Sequence, residues 1–347
     1  MARVRELADG TRRDRIGKGK MTRVNLLLAA LLLLTATLAV MAGARGFSPA
    51  LLADWLSGRD PAAAIILFDI RLPRILAAAS VGAALGLCGA GLQALTRNPL
   101  AEPGILGVSA AATLGATLTL YFGLAAAWSW ALPLGAIGGA GLVTALLASA
   151  AVRTRGMATL ILIGVGLSSL AGAAMALILN FAPNPFSLSD LVNWTLGSVA
   201  NRSLTDLGLA LPFMVAGAAM LLTQRRSLSL LAIGEEAASA HGLDFRRTQI
   251  AVVVGTGLAT GASVALAGAV GFVGIVAPHV VRPWVGHDPG RTLVPAALAG
   301  AAMLIVADML VRLLPTDTEL RLGVVAALAG APIFLLIALR RGTVRHD

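Results

Sequence analysis

The sequence predicts an all-α membrane protein with about ten transmembrane helices and both termini in the cytoplasm. Composition, the lengths of the apolar runs and the distribution of basic residues lead to this prediction. Of the 347 residues, 57% are hydrophobic and 13% are charged, whereas a soluble domain carries roughly 25% charged residues. Because Cys88 is the single cysteine, an intrachain disulfide is excluded.

Apolar runs of membrane-spanning length divide most of the chain. A spanning helix needs roughly 20 mostly apolar residues. The eighth run is too short to cross alone, so we expect a half-length helix there, buried among its neighbours. The predicted helices are residues 24–43, 72–96, 104–122, 128–152, 157–182, 205–223, 247–270, 271–284, 292–314 and 320–339.

The first apolar run follows a basic segment, residues 1–23, which holds eight Lys and Arg residues. This order also fits a cleaved signal peptide, whose apolar core is about 7 to 15 residues long. The run 24–43 is longer, which favours a retained first spanning helix. We therefore divide the chain into a basic cytoplasmic segment (1–23), a transmembrane domain (24–340) and a cytoplasmic tail (341–347).

The basic residues define the orientation. With both ends inside, 20 of the 27 Lys and Arg residues fall in cytoplasmic segments and seven in outer segments, as the positive-inside rule requires. The net charge of +10 therefore reflects topology and does not indicate nucleic-acid binding. This orientation places the polar interval 224–247 in the cytoplasm.

Local signals mark several helix ends. Thr316 and Glu319 have capping-box spacing after Pro315, so the last spanning helix should begin there. On the outer side, residues 187–199 predict a short surface helix capped by Ser189 or Asp190.

The polar interval contains a predicted short helix at residues 231–245. Glu235 and Glu236 near its start complement the helix dipole, and Gly242 can end it with a positive φ. A solvated amphipathic loop is the alternative interpretation. The sequence predicts a rigid cytoplasmic element between two membrane-spanning helices.

Few residues could support chemistry inside the membrane. Asp308 is a carboxylate within an apolar run, and Arg312 lies one helical turn away, so a structural pair explains it. A proton or ion role for Asp308 is the alternative. The four histidines have no metal-ligand spacing, and Lys18 and Lys20 lie in GKGKMT, which does not match a phosphate loop. We therefore predict no catalytic residues, no metal site and no cofactor in this chain.

Three segments resemble the FecCD family of ATP-binding cassette (ABC) importer permeases, which carry ferric siderophores, haem and cobalamin. The first is RLPRILAAASVGAALGLCGAGLQALTRNPLAEPGILGVSA (71–110), and the second is GEEAASAHGLD (234–244). The third is GFVGIVAPHVVRPWVGHD (271–288), followed by LIVADMLVRLL (304–314) and LRLGVVAALAGAPIFLLIALRRG (320–342). The similarity extends over nearly the whole chain from about residue 45 and leaves the basic segment outside.

This resemblance implies a fold like that of the cobalamin-importer permease and a set of partners. They are a second permease subunit, most simply a second copy, two cytoplasmic ATPases that bind ATP and Mg, and an extracytoplasmic binding protein. The expected location is the bacterial cytoplasmic (inner) membrane, in contact with lipid. An ion-coupled secondary transporter that depends on Asp308 and an intramembrane enzyme are the alternatives of other classes.

The resemblance also assigns roles to residues of this chain. The pattern EAA-x3-G of ABC importer permeases matches Glu236 to Gly242. The residues expected to couple to the ATPase are Gly234, Glu235, Glu236, Ala237, Ala238, Gly242 and Leu243. Three arginines match positions that contact acidic residues of the binding protein, with interfacial anchoring as the alternative; they are Arg71, Arg74 and Arg312.

The transport pathway is expected mainly along the fifth and tenth helices of a dimer. The fifth helix has no charged residue, which suits a large chelate delivered by a binding protein. We expect a ferric siderophore, with haem or cobalamin as alternatives. Candidate pathway residues are Thr159, Ser168, Ser169 and Asn180. Structural roles are expected for Asn98, Pro99, Pro103, Gly104, Pro278, Asp308 and Pro332.

Overall fold

The protein is helical almost throughout. The structure, a computed structural model, describes residues 2–43, 46–47, 49–128, 130–153, 156–314 and 319–342. The predicted cap at Thr316 and the tail residues 343–347 lie outside the described residues.

Sixteen α-helices follow one another along the described chain. They are α1 (Ala2–Met41), α2 (Ala50–Leu56), α3 (Pro61–Ile65), α4 (Leu72–Thr96), α5 (Val108–Tyr121), α6 (Leu124–Ala127), α7 (Ala131–Arg153), α8 (Met157–Asn180), α9 (Pro185–Thr195), α10 (Leu204–Thr223), α11 (Arg225–Leu230), α12 (Glu235–Ala240), α13 (Phe245–Ala267), α14 (Val273–Val281), α15 (Pro289–Leu313) and α16 (Leu322–Gly342). A π-helical segment, Ile66–Arg71, joins α3 to α4. Short 3-10 turns cover Pro103–Leu106, Leu231–Ile233 and Arg282–Val285.

The helices confirm the predicted class of polytopic membrane protein. Seven helical stretches in the described residues are long and apolar enough to cross a membrane. With the shorter apolar helices α5, α14 and α16, they account for each predicted run. The half-length eighth helix is confirmed as α14, which has nine residues.

Three details differ from the sequence prediction. The first helix begins at Ala2, so the basic segment continues the spanning helix as one element. The cap of α9 is Asn184, which accepts a hydrogen bond from the Ser187 N–H at 2.8 Å, because Pro185 starts the helix earlier than expected. Two antiparallel strands of two residues each, Ala42–Gly43 and Gly46–Phe47, are an exception to the all-α description.

Close contacts between backbones define the centre of the bundle. A Cβ atom on Gly82 of α4 would overlap the carbonyl oxygen of Gly300 in α15, and one on Gly86 would overlap that of Ala296. Small residues permit such approaches in membranes, where dispersion forces and interhelical contacts drive association. In α4 and in α13, 78% of the most apolar stretch is buried, whereas in α8 only 11% is buried. The α8 helix therefore lies on the outside of a single subunit.

Helix α1 belongs to this bundle. It packs against α15, and Arg312 Nη1 of α15 donates hydrogen bonds to the carbonyl oxygens of Ala39 and Ala42, both at 3.0 Å. The end of α1 is thus anchored by an internal side chain.

Candidate functional site

The predicted cytoplasmic helix is shorter than expected. The prediction of one helix over 231–245 is wrong, because Gly234 adopts φ of 100° and separates a 3-10 turn from the six-residue α12. Glu235 and Glu236 form its first turn, as predicted. Gly242, with φ of 86°, follows the helix and lets the chain turn back, so that Leu243 N–H bonds to the Ala238 carbonyl at 3.1 Å.

One face of α12 points away from the protein. Ala238 is fully buried and Leu243 packs against the core, whereas Glu235, Glu236 and Ala237 are exposed. Ile233, just before Gly234, has 56% of its surface exposed. The exposed surface therefore consists of two carboxylates with apolar side chains beside them, and within α12 only Ala238 packs into the protein.

This exposed helix connects directly to the membrane helices. Asp244 caps α13 by accepting a hydrogen bond from the Arg247 N–H at 3.0 Å, and Arg246 Nη2 donates to the Val152 carbonyl at the end of α7. Within the membrane, Gly217 of α10 and Gly255 of α13 pack with their backbones in close contact. These contacts join the chain that follows α12 to α7, α10 and α13.

At the outer end of the bundle, Asp308 lies between two arginines. Its side chain has 1% exposure. Arg74 Nε and Nη2 both lie 2.8 Å from Asp308 Oδ1, and Arg312 Nε lies 3.1 Å from Oδ2. Arg74 also pairs with Glu319, just before α16. The Asp308–Arg312 pair agrees with the sequence prediction, while Arg74 is a partner that helical spacing did not reveal.

The arginines predicted for docking are engaged inside the subunit. The side chains of Arg74 and Arg312 have 12% and 8% exposure. Arg71 is half-buried, and its Nη1 donates to the Val40 carbonyl at the end of α1. The three arginines thus hold the outer ends of α1, α4 and α15 together, and Arg71 is the most peripheral to the Asp308 pair.

Most candidate pathway residues lie on the outer surface of α8. Thr159, Ser169 and Asn180 are exposed, and at 3.6 residues per turn they fall within an arc of about 80°. Ser168 points elsewhere, because its hydroxyl donates to the Gly104 carbonyl at 3.3 Å. A single subunit does not enclose these residues, so a pathway along α8 requires a second surface.

The segment between α4 and α5 explains several predicted structural residues. Asn98 Oδ1 accepts a hydrogen bond from the Leu100 N–H at 3.0 Å and forms a turn. Pro99 follows within this turn, and Pro103 begins the 3-10 turn that leads to α5. Gly104, in that turn, accepts the Ser168 bond described above. The segment therefore joins α4 to α5 and contacts α8.

Glu102, in the same segment, was missed by the sequence analysis. Its Oε2 accepts a hydrogen bond from the Phe272 N–H at 3.2 Å, just before α14. Burial raises the pKa of Glu102 above its ordinary value, and the Phe272 hydrogen bond opposes this shift. A lone acid between two apolar helices was the available signal.

Phe272 also contacts the last helix. It has φ of 67°, and a Cβ atom on Gly330 of α16 would overlap its side chain. The rings of Phe272 and Phe334 are edge to face with centroids 6.4 Å apart. Pro278 and Pro332 lie inside α14 and α16. The segments that precede α5 and α14 therefore meet around Glu102 and Phe272, next to α8 and α16, the fifth and tenth predicted helices that are expected to line the pathway.

A bundle of spanning helices with Glu236, Ala237 and Ala238 on a short cytoplasmic helix, and Gly242 just after it, is the arrangement that the resemblance implies for the permease of an ABC importer. In the described residues, no group of three His, Cys, Asp or Glu side chains could hold a metal ion. The chain belongs to the FecCD transport family, whose family model matches residues 31–340. It is a multi-pass protein of the bacterial inner membrane, and this class replaces the ion-coupled alternative.

Individual relatives support this membership. The chain is 39% identical over 295 residues to the uncharacterized ABC transporter permease protein YvrB of Bacillus subtilis, covering 81% of each protein. It is also 39% identical over 316 residues to the vitamin B12 import system permease protein BtuC of Salmonella typhimurium, covering 91% of this chain and 94% of BtuC. A solved ABC transporter, assigned to the metal-chelate type and inward-facing, matches with a TM-score of 0.83 and 30% identity over 92% of this chain and 99% of its own.

Proposed function

We propose that this chain is the permease subunit of an importer for an iron chelate, most simply a ferric siderophore. Binding and hydrolysis of ATP by a separate ATPase switch the pathway between outward and inward access. The observation that carries the proposal is the exposed α12, which presents Glu235 and Glu236 while only Ala238 is buried.

In this proposal α12 fits into a cleft of the ATPase and moves with it as a rigid body. The coupling residues are Gly234 to Ala238, with Gly242 and Leu243 behind them. Two features support the role. The positive φ values at Gly234 and Gly242 separate α12 from the helical segments before and after it. The hydrogen bond from Arg246 to the end of α7 links the chain just after α12 to the membrane helices.

We also propose that two copies of the chain form the pathway between them. Helix α8 has 24 residues, carries no charge and is exposed along most of its length. A second subunit would enclose Thr159, Ser169 and Asn180, with α16 completing the wall. Such a weakly polar wall suits a large chelate that a binding protein delivers, since the wall need not hold it tightly.

An extracytoplasmic binding protein would dock at the outer ends of α1, α4 and α15. Arg71, the most peripheral of the three arginines, would meet acidic side chains of that protein. Arg74 and Arg312 are buried and would not contact the binding protein directly. Their ion pairs with Asp308 would fix the positions of the helix ends that form the docking surface.

Cobalamin is the second candidate substrate. The similarity to BtuC extends over 94% of the BtuC chain, and BtuC is named a vitamin B12 import system permease protein. A ferric siderophore is favoured by the uncharged α8 and by similarity to a transporter of the metal-chelate type. Haem is a third possibility, against which the lack of an arginine in α8 counts.

The coupling role is tested in a complex of the permease with its ATPase and binding protein, reconstituted in proteoliposomes. Replacing Glu236 with Lys should abolish stimulation of the ATPase by the binding protein while the permease stays folded. The matched control is Asp190→Lys, an exposed acid on outer helix α9, which should leave stimulation unchanged. Full stimulation and transport in Glu236→Lys would refute the assignment.

The substrate is tested with the same proteoliposomes and a panel of chelates. Each binding protein encoded beside this chain is loaded with a ferric siderophore, cobalamin or haem, and ATP-dependent uptake is measured. Uptake of the ferric siderophore alone is expected. Uptake of cobalamin alone would replace the siderophore while leaving the importer class intact.

A further inference from the structure

A polar cavity lies at the cytoplasmic ends of the central helices. Its volume is about 250 Å³, and because a water molecule occupies about 30 Å³ in the liquid, it has room for a phosphate group. The polar side chains lining it are Gln93, Arg97, Arg282, His287 and Thr292.

The lining is basic. Arg97 and Arg282 contribute two positive charges, and no described lining residue is acidic. Arg282 is held in place by Gln93, whose Oε1 accepts from its guanidinium while Gln93 Nε2 donates to the Gly274 carbonyl at 3.1 Å. Arg97 forms no side-chain hydrogen bond or ion pair within the described part of the chain.

A neighbouring carboxylate does not neutralise this cavity. Asp288 precedes the lining residue Pro289, but its Oδ1 accepts hydrogen bonds from the Ser229 hydroxyl at 2.6 Å and the Arg291 N–H at 2.9 Å. It also pairs with the Arg291 side chain. The carboxylate is thus committed to the start of α15.

The cavity lies at the depth of lipid head groups. Trp284, in the same turn as Arg282, has 48% of its surface exposed, and exposed tryptophans concentrate at the membrane–water interface. The charge distribution assigns this end to the cytoplasm, where the leaflet carries anionic lipids. Basic pockets between membrane helices on this side bind anionic head groups.

We propose that this cavity is a binding site for a phosphate-type anion, supplied by an anionic phospholipid of the cytoplasmic leaflet, with Arg97, Arg282 and His287 as its ligands. The site also adjoins the coupling loop. A Cβ atom on Gly234 would lie 3.9 Å from Arg97 Nη1, and Ala232 lines the cavity. An anion bound by Arg97 would therefore restrict the motion of Gly234 at the start of α12.

The test uses the full-length permease, purified in detergent and depleted of lipid. Short-chain phosphatidylglycerol, short-chain phosphatidylcholine and inorganic phosphate are titrated separately, and the thermal unfolding midpoint is followed, since a ligand of the folded state raises it. We expect phosphatidylglycerol to bind at least about tenfold more tightly than phosphatidylcholine, equivalent to one charge-assisted contact of about 1.4 kcal/mol.

Variants connect that preference to the cavity. Arg97→Asn should abolish it without unfolding the protein, because Arg97 has φ of 50° and Asn tolerates this conformation. His287→Gln should weaken it severalfold. Arg153→Asn, which removes an exposed cytoplasmic arginine outside the cavity, is the control and should leave it intact.

Comparing phosphatidylglycerol with inorganic phosphate shows whether the bound anion is a lipid head group or a free ion. Phosphatidylglycerol binding that Arg97→Asn removes supports the site and the lipid source, whereas Arg97-dependent binding of inorganic phosphate alone supports the site with a free anion as ligand. Equal binding by the wild type and Arg97→Asn, or no preference for either anion over phosphatidylcholine, overturns the proposal. The test requires no transport, so its failure is distinct from failure of the importer assignment.

Discussion

Arg74 Nη2 lies 2.8 Å from Asp308 Oδ1, joining the outer ends of α4 and α15 across 234 positions of sequence. Because the Asp308 side chain has 1% exposure, water does not solvate its charge, and protein groups must compensate it. Arg312 contacts the other carboxylate oxygen at 3.1 Å. The buried carboxylate therefore pairs with both guanidinium groups, and Glu319 adds a second, more exposed carboxylate beside Arg74.

The first prediction concerns this carboxylate. Asp308→Asn should lower the free energy of unfolding by about 3 kcal/mol, because removing one member of a buried ion pair leaves the other charge uncompensated. Thermal unfolding in detergent measures the effect. Glu319→Gln is the control, since Glu319 is 41% exposed and an exposed pair contributes about 1 kcal/mol or less. Similar losses for both variants would contradict a buried unit.

A second prediction concerns the crossing of α4 and α15. Gly82→Ala should destabilise the protein by about 1 to 3 kcal/mol, because the new methyl group overlaps the Gly300 carbonyl and the backbones must separate. Gly138→Ala in α7 is the matched control, since a Cβ atom there has open space. A comparable loss of thermal stability in the control would show that α4 and α15 do not need this close approach.

The sequence predicted most of the membrane-spanning architecture, because length and apolar character alone decide which segments can cross a bilayer. The half-length α14 was predicted for the same reason, as its run is too short. The charge asymmetry predicts the orientation. The prediction that Glu235 and Glu236 lie near the start of a helix is confirmed, although that helix begins at Glu235 and not at residue 231.

Contacts between distant segments were beyond such reasoning. Helical spacing found Arg312 as a partner of Asp308, but Arg74 depends on how α4 crosses α15. The break at Gly234 was also missed, because a glycine before two glutamates permits either a continuous helix or a turn. Glu102 was missed because its partner, the Phe272 N–H, is a backbone group that any residue could supply.

A third prediction concerns Glu102 and pH. Burial raises the pKa of Glu102, so the folded state binds its proton more tightly than the unfolded state does. The resulting stabilisation is fully present below the ordinary pKa of a glutamate and is lost as pH rises through the raised value. Wild-type stability should therefore fall relative to Glu102→Gln as pH rises from the acid range. Thermal unfolding at a series of pH values measures it.

The control for this prediction is Glu102→Ala. Gln keeps an acceptor for the Phe272 N–H. Ala leaves that donor without its partner, which should lower the free energy of unfolding by about 1 to 3 kcal/mol. The loss in Glu102→Ala relative to Glu102→Gln should not depend on pH. A constant difference between wild type and Glu102→Gln at all pH values would exclude titration of Glu102 as a contribution to stability.

A fourth prediction tests docking on the outer side. Arg71→Glu should weaken binding of the binding protein to the purified permease and make the remaining affinity less sensitive to salt, since charge attraction is screened by ions. Arg59→Glu, at an outer arginine that is exposed, should have a smaller effect. Arg74 is unsuitable for this test because its substitution would disturb Asp308. Unchanged affinity in Arg71→Glu would remove Arg71 from the landing surface.

The last prediction concerns Gly242, where the chain leaves α12. Its φ of 86° is unfavourable for a residue with a Cβ atom, although the surrounding space is open. Gly242→Val should therefore cost about 1 to 2 kcal/mol locally and loosen the connection between α12 and α13, lowering ATPase stimulation in the reconstituted complex. Gly242→Asn is similar in size but tolerates the left-handed conformation, so it should retain most stimulation. If both variants lose stimulation equally, the requirement is for a small surface facing the ATPase, whereas loss confined to Gly242→Val shows that the backbone conformation at Gly242 transmits the motion.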